Sequence, residues 1–304
     1  MTSTPAPVRW SDERGRIVNA LSFDVEDYFH VHALSQQVDR SEWEAQPQRL
    51  GEAMATLLRL LAEHDVHATF FVLGWVAERD RRLIRDLVAA GHELASHGLQ
   101  HVRVSAQTPE RFRRDVIETK ALLEDIGGVE VLGYRAANFS ITPEVDWAYE
   151  ILGETGHRYS SSLYPIRHDH YGQPDAPRFC HRRNAQVLEI PVSTVRFAGR
   201  NWPCGGGGYF RLLPYRLSRQ ALRSVQRKER EPCVFYLHPW ELDPGQPRIA
   251  KLPLKSRLRH YTNLSRTAER LRRLASDFAW DRIDRVFLTG PAESASADAW
   301  ASSR

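Results

Sequence analysis

Residues Leu21–His30 read LSFDVEDYFH. The stretch starts as an apolar strand and ends in Asp24, Glu26 and Asp27, followed by two aromatics and His30. Taking a carboxylate out of water is costly unless a cation or hydrogen-bond donors meet it. A strand with this ending therefore needs partners from elsewhere in the chain. On a continuing strand Asp24 and Glu26 share one face while Val25 and Asp27 point to the other, and a break at Glu26 would turn Asp27 inward.

Outward from this strand, apolar runs alternate with helical patterns. Residues 17–24 and 67–74 read as strands around a helix at 49–64 with leucines at helical spacing. A helix over 75–91 stops at Gly91, a residue favoured just past a helix end. Residues 92–97 read as a short strand, and Thr108-Pro109 opens a helix reaching 128, with Thr as cap and Pro in the first turn. After a strand at 129–136 a second Thr-Pro opens a helix over 142–156, and 157–165, 186–193 and 232–239 supply further strands. Such alternation implies a parallel sheet, open or closed as a barrel. In either form, function gathers at the C-terminal strand ends. Those ends carry the three acids, then His97, Arg135 and His238.

His97 and His101 stand four residues apart, so a helical turn or a loop entering a helix can set both imidazoles on one side. Two imidazoles and one carboxylate make a three-ligand metal site with room for water and substrate. The LSFDVEDYFH strand supplies that carboxylate and a second one for acid-base work.

The 304 residues fit one large α/β domain or two small ones. A net charge of +4, from 42 basic and 38 acidic residues, is too mild to indicate a nucleic-acid partner. Cys180, Cys204 and Cys233 form neither a disulfide framework nor a Cys-rich zinc motif. The first residues lack the apolar run of a signal peptide and no stretch approaches a membrane span, so the expectation is a cytoplasmic protein without an integral membrane segment. Residues 1–16 and 290–304 are polar and read as flexible ends. Oligomeric state leaves no mark in the sequence.

The ordered set of an acidic strand end, SHGLQH, GYRAANFS and FYLHPWE resembles the motifs of NodB-homology polysaccharide deacetylases, the family-4 carbohydrate esterases. VEDYFH, GGGGYFRLLPY, YLHPWELDPGQPR and RHYTNLSRTAERLRRLASDF are similar to the subgroup found with exosortase and exopolysaccharide loci. The resemblance implies a distorted (β/α) barrel over 17–245, a C-terminal extension over 246–289 packed on it, and metal-dependent removal of acetyl groups from an N-acetylated polysaccharide. By position, Asp24 matches the family's catalytic base, Arg135 the arginine that holds it, and His238 the late catalytic histidine. His97 and His101 match its metal-binding histidines, with a divalent ion, zinc, as cofactor. Many members carry an aspartate as third ligand where this chain has Val25, which leaves Glu26 as third ligand and Asp27 in reserve. Proline is replaced by Ala137, and an aspartate common near YSSSLYP is absent, with Ser160 nearby.

Tyr134, Phe139 and Trp240 are candidates to stack on sugar faces. Gly205–Phe210 reads as a rim loop or a turn before a helix at 214–227, and it lacks the ending of a phosphate-binding loop. His168, Asp169 and His170 read as a polar loop near the cleft. Two other readings stand beside the deacetylase: another C-N hydrolase acting on a small amide or ureide, and a non-catalytic carbohydrate-binding protein.

Overall fold

The computed structural model describes residues 10–31, 34–35, 37–169, 171–250 and 252–288. Its centre is β1 (Val18–Val25), buried from Asn19 onward. Apolar side chains on both faces suit a parallel strand covered on both sides. Five parallel strands follow the predicted order: β1, β2 (Thr69–Val72), β3 (Glu93–Ser96), β4 (Gly133–Tyr134) and β5 (Tyr159–Ser160). The edge is finished by β6 (His181–Arg182), antiparallel to β7 (Leu188–Glu189), and a hairpin of β8 (Thr194–Phe197) and β9 (Arg200–Pro203) stands apart. On the other side of β1 lie two late strands, β10 (Val234–Leu237) and β11 (Ala279–Asp281), both parallel to it.

The strand order β10-β1-β2-β3-β4-β5-β7-β6 is an open path. The sheet curls as a half barrel and does not close, so it is the pairing of β10 with β1, and not closure, that joins the two ends of the chain. The segment at 246–289, expected to pack outside the barrel, also adds β11 to the sheet.

The helices are α1 (Leu50–Glu63), α2 (Gly74–Arg79), α3 (Arg81–Ala89), α4 (Pro109–Gly127), α5 (Ala148–Glu154), α6 (Gly207–Leu212), α7 (Tyr215–Lys228), α8 (Leu254–Tyr261), α9 (Leu264–Asp277) and α10 (Ile283–Phe287). Thr108 caps α4 and Pro109 occupies its first turn, as its sequence predicts. The single helix expected over 75–91 is two, because the Asp80 side chain accepts from Leu83 N–H and starts a new helix there. Residues 10–16, expected to be flexible, form a turn in which Asp12 accepts from the Arg14 and Arg16 amides. Residues 1–9 and 290–304 lie outside the described residues, as does His170. No helix among the described residues is long and apolar enough to cross a membrane.

Candidate active site

At the end of β1 the backbone turns, and its three acids separate. Asp24 and Ser22, two residues apart on one face, both meet Arg135. Arg135 Nη1 donates to Asp24 Oδ1 at 2.6 Å and to Ser22 Oγ at 3.0 Å. Its Nε and Nη2 donate to the carbonyl and hydroxyl of Ser161, and Phe71 lies 4.0 Å beneath the guanidinium. With every guanidinium nitrogen held in this buried network, Arg135 fixes the orientation of the Asp24 carboxylate through one short charge-assisted bond.

Glu26 joins the two histidines. Its Oε1 is 2.9 Å from His97 Nε2 and 3.0 Å from His101 Nε2, all three side chains being buried. The loop between the histidines is shaped for this. Gly98 and His101 both adopt left-handed backbone, at φ 75° and 53°, and Asp115 accepts from Leu99 N–H. Gly98 and Leu99 carbonyls accept from Gly74 and Trp75 at the start of α2. The two Nδ1 atoms face the carbonyls of Arg135 and His30, at 2.8 and 3.0 Å. A carbonyl can only accept, so each Nδ1 carries the proton, and a neutral ring then presents its Nε2 lone pair to Glu26. Two lone pairs converging on a carboxylate oxygen repel it unless a cation lies among them. Without a cation the same geometry is met by protonated rings: burial pushes the Glu26 carboxyl up, and charged His101, His97 and His238 outweigh it and hold it well below the ordinary range. A donor set of one carboxylate and two carbonyl-anchored imidazoles fits a divalent ion.

Asp24, Glu26 and His238 form a second group with ligand atoms within 4.8 Å. It is the poorer cation site, because Asp24 is already paired with the Arg135 guanidinium, whose charge repels an added cation.

Asp27, the reserve ligand, is absent from both groups. Its oxygens accept from the backbone N–H of Tyr28, Arg49 and Leu50, at 2.7, 2.6 and 2.8 Å, so it tethers the start of α1 to the end of β1.

His238 follows β10, and its Nε2 lies 3.8 Å from Asp24 Oδ2. Glu241 grips its other side, accepting from Nδ1 at 2.8 Å and from the His238 amide at 3.0 Å. Burial opposes a charge on His238, but Glu241, with Glu26 and Asp24, pulls its pKa up to about 9. Glu241 is itself buried and bonded at 2.5 Å to Arg211 Nε. Burial pushes its carboxyl up, and Arg211 and His238 overcome this to hold it at about 2. The remaining Arg211 donors cap the end of α8 at the carbonyls of Arg259, His260 and Thr262. The late segment thus clamps the arginine that holds the carboxylate that holds His238.

Neither Glu241 nor Arg211 is a candidate on the sequence reading. The signal was present in HPWE, where an acid three residues after the histidine can reach back to its amide as in a capping box. Glu241→Gln is expected to lower kcat by about 10- to 100-fold. The carboxylate favours the charged imidazole, so its loss lowers the His238 pKa, and the alkaline limb of the pH–rate profile moves to lower pH. An unchanged limb would show that Glu241 acts on folding alone.

A cleft of about 180 Å³ opens over these groups. Phe139 and Trp240 line it, with Tyr209 from the glycine-rich stretch read as a rim loop or turn, which in the structure begins α6, and Tyr171 from the loop that follows His168. Tyr134 does not line it; it is buried beneath the sheet against Phe112 and His157, because β4 turns it away from the face that presents Arg135. His168 reaches the cleft, while Asp169 pairs with Lys255 and Arg259 of α8. The glycine loop approaches the strand that carries His238. A Cβ on Gly206, at φ 107°, would sit 1.9 Å from Tyr236 O, so only glycine fits there.

Residues 42–157, which include both histidines and Arg135, match the family model described as polysaccharide deacetylase. This region is similar to polysaccharide deacetylases. Residues 161–288 match a second model, described as a domain of unknown function, DUF3473. Among curated relatives, the chain is 47% identical to a chitooligosaccharide deacetylase of Sinorhizobium fredii over 62 residues, 20% of this chain and 29% of that protein. It is 29% identical to a peptidoglycan-N-acetylglucosamine deacetylase of Bacillus cereus over 68 residues, 22% of this chain and 32% of that protein. The matches thus span less than a third of these relatives' length. A solved structure from Mycobacterium smegmatis, described as a polysaccharide deacetylase, superimposes with a TM-score of 0.60 at 22% identity, covering 97% of this chain and 96% of that one, and shows the same fold. Residues 42–157 contain neither Asp24 nor His238. β10 and β11 come from the second region, yet both pair with β1.

Proposed function

We propose that this chain is a metal-dependent deacetylase that hydrolyses N-acetyl groups of N-acetylhexosamine units in an exopolysaccharide or its precursor. The observation that carries the reading is the meeting, in one cleft, of an arginine-held carboxylate, a carboxylate-held histidine and the Glu26-His97-His101 trio. The exopolysaccharide assignment rests on the likeness of stretches such as VEDYFH and GGGGYFRLLPY to members from those loci.

Glu26, His97 and His101 would hold the ion, for which zinc is our choice given two imidazoles and one carboxylate. A divalent ion bound there would polarise the acetyl carbonyl and acidify water. Asp24 takes a proton from the attacking water as a C–O bond forms at the acetyl carbon. The C–N bond then breaks while His238 gives a proton to the departing sugar nitrogen, leaving acetate and a free amine. Arg135 keeps Asp24 turned toward the water, and Glu241 keeps the donating Nε2 of His238 turned toward the substrate.

The test is acetate release from N-acetylglucosamine oligomers by the purified chain, with added zinc and after chelation. Release is expected with zinc and is expected to fall at least about 100-fold after chelation. Release that survives full chelation would overturn metal dependence. Glycan binding without release under any metal would favour a carbohydrate-binding protein, and neither binding nor release would favour a small amide.

A further inference from the structure

Among the described residues, nine large apolar side chains are more than a third exposed, and five of them fall on two short segments: Leu212, Leu213 and Leu217, and Leu254 and Leu258. The segments meet, since α6 packs on α8, and Leu212 lines the same cleft mouth as Ser256 and Arg259. Leu212 therefore stands at the cleft entrance, and the other four leucines form an exposed rim outside it, on α7, α8 and the turn between α6 and α7.

The charge around this rim is mainly basic. Neither residues 205–228 nor 244–268 contain an aspartate or glutamate, and each stretch holds six Lys or Arg residues. Arg216, Lys255 and Arg257 are exposed beside the leucines. Among the described residues, three acids reach these stretches from outside: Asp169, which Lys255 and Arg259 share, Asp277 beside Arg219 and Arg223, and the buried Glu241 on Arg211, which leaves Arg216 and Arg257 as the exposed surplus beside the leucines. An exposed apolar patch bordered by charge marks an interaction surface. A second copy is a poor occupant, since a two-fold contact would set this cationic face against itself. Leucines interspersed with Lys and Arg are the pattern of a surface that inserts shallowly among anionic headgroups.

We propose that the face made by Leu212–Leu217 and Leu254–Leu258 seats the protein on an anionic membrane surface, with the mouth of the cleft beside the bilayer. The proposal stands on the surface alone and is independent of the reaction. Taken with the deacetylase reading, it makes glycans carried on a lipid the accessible substrates.

The experiment is co-sedimentation of the full chain with phosphatidylcholine vesicles, with and without phosphatidylglycerol, at low and high salt. Binding is expected to the phosphatidylglycerol vesicles and to fall as salt rises. The double variant Leu254→Ser/Leu258→Ser is expected to weaken it by about tenfold or more, and Arg216→Glu/Arg257→Glu to abolish its salt-sensitive part. All four side chains are exposed, so the fold should stand, and Ile117→Ser/Val129→Ser, a comparable change to exposed apolar residues elsewhere, should bind like the parent. Equal binding by parent and rim variants would overturn the proposal. So would a dimer in sedimentation that the Leu254/Leu258 substitutions dissociate, which would give the face to a second copy. Because vesicle binding is read without turnover, its failure is distinct from failure of the deacetylase reading.

Discussion

Asp24→Asn is expected to lower kcat for acetate release by about 10³-fold or more while leaving bound metal unchanged. Asparagine has the same shape and keeps a carbonyl oxygen to accept from Arg135 Nη1, so the fold and the cleft should persist. It removes the basic oxygen that takes the proton of the attacking water. The metal is expected to stay because Asp24 Oδ1 is committed to Arg135, and the tighter donor set is Glu26 with the two histidines. Acetate release and metal content, measured on the same preparation, check both halves. Loss of metal with activity would make Asp24 a ligand and require another base.

Glu26→Gln is expected to weaken zinc binding by at least about 100-fold, with Asp27→Asn changing it by less than about threefold. Glutamine replaces the only anionic donor of the trio with a neutral one, and its amide hydrogens would oppose an ion held between His97 and His101. Asp27 instead serves the backbone of Tyr28, Arg49 and Leu50. Asparagine there loses one of two acceptor oxygens, so the effect expected is on stability, about 1 kcal/mol. Competition against a chromogenic chelator gives the affinities and thermal unfolding the stability. The reverse ranking would return Asp27 to the metal site.

These two carboxylates also show how far the sequence could be read. Asp24, Glu26, His97, Arg135 and His238 are each visible at the end of an apolar run, because a parallel sheet brings such ends together whatever their separation along the chain, and His101 is visible from its spacing to His97. Asp27 and Glu26 could not be separated in advance, since the choice depends on where the strand ends and on α1 arriving with unpaired amides. Tyr134 failed for a related reason. It precedes Arg135 on a two-residue strand and so points to the opposite face. Glu241 and Arg211 were missed because one lies in a turn and the other in a glycine-led helix, and only the folded C-terminal segment unites them. The alternating pattern announced the α/β class, but an open half barrel and a closed barrel share that pattern, and the difference appears only in which strands pair.

The pairing of β1 with β10 sets Ala20 beside Val234 and Phe23 beside Leu237, more than two hundred residues apart. Such distant contacts form late, since the intervening chain must first lose its freedom. During synthesis from the N-terminus, the proposed ligand trio and base are present by residue 101, whereas the proposed proton donor and its clamp await residues 238–262. A nascent or C-terminally clipped chain could therefore capture an ion without turning over substrate. On the proposed reading, catalytic competence is the final step of the molecule's own maturation.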